Sequence, residues 1–215
     1  MTACVLFDLD GTFADTGPDL HHAVNLLLGE LGRPPFDYAD FRPVVSHGSR
    51  AMLKTALGLD PEDTDFPRLQ SRFLDLYLAN ITTHTRLFEG METLLDQLEA
   101  RSIPWGIVTN KPARLTDPLM AGLGLDRRAS VIVSGDTTAH AKPHPEPILH
   151  ACRLTGAEPS DTLYVGDAQR DIEAGRNAGT RTLVALFGYL SEQDIPAEWH
   201  ADGMIEQPMD LLAWL

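Results

Sequence analysis

Phe7-Asp8-Leu9-Asp10-Gly11-Thr12 closes an apolar run, Ala3-Cys4-Val5-Leu6-Phe7, whose length suits one buried strand. Residues two apart on a strand face the same way, so Asp8 and Asp10 are expected to project together from its carboxyl end. Gly11 frees the backbone for a sharp turn. Two acids this close repel unless a cation or a proton lies between them. The pair suits a divalent-metal site, or a nucleophile beside an acid/base group. A solvated Asp-Gly turn at the end of a strand is the plain alternative.

Outward from this strand, the chain alternates. Further strands are predicted at 103–109, 131–134, 162–166 and 182–186, with a weaker one at 203–205. Helical patterns fill the gaps at 91–100, 112–123, 145–154 and 171–178. Pro112 and Pro145 are placed to open their helices, and Gly124, Gly156 and Gly179 to end them. Such alternation with short connections implies a mostly parallel sheet wrapped by helices, an α/β fold. One connection is too long: about 80 residues lie between the first strand and the helix before the second, where one crossover helix suffices. That stretch is itself helical, at 21–31 (Ala23, Leu26, Leu27, Leu31), 51–57 and 69–78 (Leu69, Phe73, Leu76, Tyr77). It predicts a helical domain at 16–85 inserted into an α/β core of 1–15 and 86–215, with both hinges passing close to Asp8 and Asp10.

The 215 residues, 43% apolar and 22% charged, suit a globular chain with a substantial core. No apolar run approaches a membrane span, and the N-terminus lacks the basic region of a signal peptide. Cys4 and Cys152 make no disulfide framework, which points to a reducing cytoplasm. A net charge of −14 opposes nucleic acid and anionic membrane as partners. An anionic substrate then needs locally placed cations.

The later strands end in polar groups. Val108 leads to Thr109-Asn110-Lys111, Val133 leads through a loop to Ala141-Lys142-Pro143-His144-Pro145, and Val165 leads to Gly166-Asp167-Ala168-Gln169-Arg170-Asp171. Ligands bind outside the carboxyl ends of strands in open parallel sheets, so these groups are expected to converge on one crevice with Asp8 and Asp10. Taken singly, Thr109 reads as a helix cap, Lys142 as a loop lysine, and Asp167 and Asp171 as helix-start acids. Their joint occurrence at strand ends favours a site.

In this order the residues resemble the four motifs of the haloacid dehalogenase superfamily: Asp8-Leu9-Asp10-Gly11-Thr12, Thr109, Lys142, and Gly166-Asp167 with Asp171. The resemblance runs along the whole chain. It implies a doubly wound core with Asp8 on a central strand and a helical cap domain as the insert. Asp10 separates phosphoryl-transfer members from the dehalogenases, which lack an acid two residues after the nucleophile. Within the superfamily the chain resembles the phosphoglycolate phosphatases (Asp15-Thr16-Gly17-Pro18-Asp19, Val108-Thr109-Asn110-Lys111-Pro112, Lys142-Pro143-His144-Pro145-Glu146-Pro147). It is closer still to the N-acetylmuramic acid 6-phosphate phosphatases (Arg42-Pro43-Val44-Val45-Ser46, Leu87-Phe88-Glu89-Gly90-Met91, Asp171-Ile172-Glu173-Ala174-Gly175-Arg176). Phe13 departs from the leucine frequent after Gly-Thr, at a position that packs.

The resemblance implies a phosphoric monoester hydrolase acting on a small phosphorylated metabolite. Asp8 is then the nucleophile and Asp10 the acid/base. Mg²⁺ is held by Asp8, the Asp10 carbonyl and Asp167, with Asp171 behind them. Thr109, Asn110 and Lys142 bind phosphoryl oxygens. Selectivity falls to the cap loop Ser46-His47-Gly48-Ser49-Arg50, where Arg50 suits a substrate carboxylate. A surface arginine and a solvated histidine are the alternatives for Arg50 and His47. His21 and His22, adjacent on a helix, cannot face one metal and read as surface or partner residues. The assembly is expected to be a monomer or homodimer. A sugar phosphomutase, or a non-catalytic phosphate-binding regulatory module, are the competing readings.

Overall fold

The computed structural model describes residues 2–215. In chain order the elements are β1 (Cys4–Phe7), β2 (Ala14–Asp15), α1 (Gly17–Glu30), α2 (Tyr38–Phe41), α3 (Gly48–Leu57), α4 (Phe66–Ala79), β3 (Arg86–Leu87) and α5 (Met91–Ala100). They continue with β4 (Trp105–Val108), α6 (Ala113–Gly122), β5 (Val131–Val133), α7 (Glu146–Thr155), β6 (Thr162–Gly166), α8 (Gln169–Ala178), β7 (Arg181–Ala185) and β8 (Gly203–Ile205).

Six strands form one sheet in the order β5-β4-β1-β6-β7-β8, every neighbouring pair parallel. The chain leaves β1 to build one side and then returns to build the other. The order therefore reverses at β1, and the crevice of a doubly wound sheet opens at that strand's carboxyl end. All four β1 residues are buried, as both faces of the sheet are covered. Val5 and Phe7 pack into the core on one face, and Cys4 and Leu6 into the core on the other. Helix α5 buries Met91, Leu94, Leu95 and Leu98, the spacing of one helical face. Phe13 is fully buried and stacks on Trp105, ring centroids 5.4 Å apart.

The predicted strands and helices of the sheet layer all form, with shifts of one or two residues at most ends. Strand β4 begins only at Trp105, because Pro104 accepts from the Val5 amide but has no N–H to donate. Helix α8 starts at Gln169, with the Asp171 carboxylate accepting from the Ala168 amide.

Helices α1 to α4 lie between β2 and β3, which pair as a two-stranded antiparallel ribbon, Ala14 opposite Leu87 and Asp15 opposite Arg86. The ribbon and α2 are too short for any periodicity to announce them. Where the chain returns from the insert, the buried Asp19 carboxylate accepts from the amides of His84 and Thr85 and from the Thr85 hydroxyl. His21, read from sequence as a surface or partner residue, is half-buried inside the insert. Its Nε2 lies 2.8 Å from the Phe36 carbonyl and its ring packs on Tyr38 and Phe41. Among the described residues no helix is long and apolar enough to cross a membrane.

Candidate active site

The ladder between β1 and β6 runs one residue past the strand, the Asp8 amide donating to Val165 O. The chain then turns sharply, the amides of Phe13 and Ala14 both folding back onto Leu9 O. Asp10 thus sits in a turn and not on the strand, so strand alternation is not what brings it to Asp8; the turn is. Gly11 at φ +88 permits this turn, and a Cβ built there would collide with the Asp167 carboxylate.

Asp8 is 3% exposed, and its Oδ1 accepts from Lys142 Nζ at 2.8 Å. That ammonium is fully enclosed. It also donates to Val108 O (2.8 Å) and Tyr164 Oη (2.7 Å), and lies 2.7 Å from Asp171 Oδ1. The loop carrying Lys142 is pinned by Asn110, whose amide group donates to Lys142 O and accepts from Lys142 N, both at 2.9 Å. The Asn110 side chain thus acts on Lys142, leaving its main chain beside the crevice. Thr109 is buried at the end of β4, its Oγ1 accepting from the Lys111 amide.

Asp10 Oδ1 accepts from Thr16 Oγ1 at 2.5 Å and Lys111 Nζ at 2.7 Å. Lys111 is buried, its Nζ 4.7 Å from the centroid of Tyr77 on α4. Burial pulls the Lys111 pKa down more than any other single influence, but the charges and hydrogen bonds of Asp10 and Tyr77 together outweigh it and raise the pKa overall. Tyr77 Oη is buried with no hydrogen-bond partner among the described residues, and burial lifts its pKa to about 12. Lys111 and Tyr77 carry no role in the sequence reading. Lys111 stands beside Thr109 in the chain, but only the fold brings it to Asp10.

Behind Asp8 lie Asp167 and Asp171, one oxygen of each of the three carboxylates within 4.8 Å of the others. Asp167 accepts from Thr12 Oγ1, Ser46 Oγ and the Tyr189 amide. Burial, then the charges of Asp8 and Asp171, raise the Asp167 pKa to about 7. Burial and Asp8 push Asp171 up as well, against the pull of Lys142. Three buried carboxylates face one fully buried ammonium and the partly buried Arg170. This imbalance, with an all-oxygen donor set, fits a hard divalent cation.

These groups open into a cleft of about 790 Å³ between the sheet's carboxyl edge and the insert, lined by Asp8, Asp10, Thr109, Asn110 and Lys111 on the core side. The insert contributes Arg50, Gln70, Phe73 and Tyr77. Arg50 and His47 are exposed at its mouth. Ser46 is buried and turns its hydroxyl to Asp167, 2.7 Å from Oδ2.

Residues 5–185 match the haloacid dehalogenase-like hydrolase family. The chain belongs to that family. Among similar proteins, an N-acetylmuramic acid 6-phosphate phosphatase of Pseudomonas putida is 43% identical over 207 residues, 96% of this chain and 93% of its own. A phosphoglycolate phosphatase of Xanthomonas campestris pv. campestris is 45% identical over 208 residues, again 96% and 93%. The crystal structure of a predicted phosphoglycolate phosphatase from Haemophilus somnus superposes with a TM-score of 0.87 at 26% identity, covering 99% of this chain and 97% of that one. The six-stranded sheet is the Rossmann-like core of this hydrolase family.

Proposed function

We propose that the protein is a Mg²⁺-dependent phosphomonoesterase that works through an aspartyl-phosphate on Asp8 and favours N-acetylmuramic acid 6-phosphate, with 2-phosphoglycolate next. The observation that carries this is the Asp8 carboxylate held by Lys142 at the switch point of the sheet, with Asp10 and Asp167 beside it.

Asp8 attacks phosphorus, forming a carboxylate–phosphorus bond as the ester oxygen departs. Asp10 gives that oxygen its proton. Water then attacks phosphorus in the aspartyl-phosphate, Asp10 takes the proton from the water, and phosphate leaves with Asp8 restored. Acid/base assistance of this kind contributes about 10²–10⁴-fold. Asp8, the Asp10 carbonyl and Asp167 hold the metal, with Asp171 steadying Lys142 behind them. When bound, Mg²⁺ neutralises charge between carboxylate and phosphate. Thr109, the main chain at Asn110, and Lys142 receive phosphoryl oxygens.

The similar proteins carry two substrate names at nearly equal identity, so the cleft must discriminate. A cleft of about 790 Å³ supports the larger of the two, a phosphorylated amino sugar. Arg50, His47 and Ser46 are the insert-loop candidates for reading the substrate, with Arg50 suited to a carboxylate. Phosphate release across N-acetylmuramic acid 6-phosphate, N-acetylglucosamine 6-phosphate, 2-phosphoglycolate and a sugar bisphosphate tests the reading. The first should give the highest kcat/KM, and Asp8→Asn should abolish turnover while keeping the fold. A clear preference for 2-phosphoglycolate overturns the substrate; phosphoryl return to sugar instead of water overturns the hydrolase in favour of a mutase.

A further inference from the structure

Ser46 lies in the insert, in the 3-10 turn Arg42–His47 that precedes α3, yet its hydroxyl turns to the core carboxylate Asp167. Its Oγ is 2.7 Å from Asp167 Oδ2 and 3.5 Å from the Asp10 carbonyl oxygen, which belong to two of the three residues assigned above to the metal. Oxygens on adjacent vertices of a magnesium octahedron with bonds of about 2.1 Å stand about 3.0 Å apart. The two Ser46 distances bracket that edge. The hydroxyl therefore stands at a separation from both that an oxygen sharing their cation has.

The turn is held there by the core. Arg170, in the first turn of α8, donates to the Ser46 carbonyl at 2.5 Å. Arg42, at the other end of the same turn, donates to the carbonyls of Phe187 and Gly188 and stacks on Tyr189. The amide of Tyr189 in turn donates to Asp167 Oδ2. Both ends of the turn are thus fastened around one carboxylate.

We propose that Ser46 is a metal ligand supplied by the insert: with the insert closed, its hydroxyl takes a vertex that water holds when it is open. This rests on the metal reading of Asp8, Asp10 and Asp167. By reciprocity, a metal that gains a ligand on closure binds the closed form more tightly and favours closure to the same degree. The metal then reports the position of the insert as well as serving the phosphoryl group.

The test uses Mn²⁺ as the probe on the full chain. Calorimetry gives its affinity, and the enhancement of water-proton relaxation counts the waters it keeps. Ser46→Ala should bind Mn²⁺ about tenfold more weakly and carry one more water. Ser46→Thr, which keeps a hydroxyl, should return both values toward wild type. Ser49→Ala, whose hydroxyl instead accepts from Gln70, should change neither. An unchanged water count in a folded Ser46→Ala, or tighter Mn²⁺ binding, overturns the ligand role and makes Ser46 a stand-in that the ion displaces. A wild type that takes up no Mn²⁺ overturns the metal reading itself.

Discussion

Lys111 Nζ and Asp10 Oδ1 form an ion pair 2.7 Å long at the floor of the cleft, side chains 6% and 18% exposed. Thr16 Oγ1 holds the same oxygen, so the proposed acid/base group is aimed by two residues from different segments. A hydrogen bond to a charged group is worth about 1.5–3 kcal/mol, so Lys111→Met is expected to lower kcat on an alkyl phosphate by about ten- to hundredfold. An aryl phosphate, whose departing oxygen needs little protonation, should lose much less. Steady-state kinetics on both substrates checks this; equal losses would mean that Lys111 does not act through Asp10.

Metal dependence should follow the charge of Asp167. Its pKa of about 7 in the metal-free protein lies above the usual carboxylate value, so the folded chain holds a proton that the unfolded chain releases. The stability this group adds to the metal-free protein is complete below about pH 4 and is lost as pH rises through about 7. Metal takes the ionised form, so its affinity should climb over roughly pH 6–8, with about one proton released near pH 6 and none near pH 8. Calorimetry in buffers of different ionisation heat measures that proton. Activity should vanish with chelator and return with Mg²⁺, while Ca²⁺, with its larger and looser shell, substitutes poorly.

How much of this was legible in the chain differs by kind of contact. The motif residues at the ends of β1, β4 and β6 could be placed because strand-helix alternation puts all parallel strand ends on one edge. Helices α1, α3 and α4 were legible as surplus length with helical periodicity. Asp10 was placed correctly near Asp8 for the wrong local reason, a strand continuing where the Leu9–Ala14 turn stands. Lys111 on Asp10 and Ser46 on Asp167 were not legible. They join residues 101 and 121 positions apart, the first across the sheet's carboxyl edge and the second where the insert meets the core, and no local pattern encodes that.

The insert's attachment should show in stability. Asp19 is buried and accepts from two amides and one hydroxyl at His84 and Thr85. Asp19→Ala strands those donors and is expected to cost about 2–4 kcal/mol, read as a lowered denaturation midpoint at unchanged slope. A change within about 0.5 kcal/mol would remove this clamp from the account.

Substrate choice should turn on Arg50, exposed at the mouth of the cleft. N-acetylmuramic acid 6-phosphate carries a lactyl carboxylate that N-acetylglucosamine 6-phosphate lacks. Arg50→Ala should erase the preference between them, by about ten- to hundredfold for one charged hydrogen bond, and leave a simple aryl phosphate nearly unchanged. Equal slowing on every substrate would assign Arg50 to closure of the insert and not to the carboxylate.

Turnover rests on the covalent step proposed at Asp8. In Asp10→Asn an aryl phosphate should still phosphorylate the enzyme, because its leaving group departs without an acid, while hydrolysis of the product slows. Mass spectrometry of the acid-quenched, digested variant is the direct measurement. One added phosphoryl group is expected on the peptide containing Asp8, absent in Asp8→Asn. An unmodified Asp8 peptide after aryl alcohol has been released, or a phosphoryl group on another residue, would contradict it.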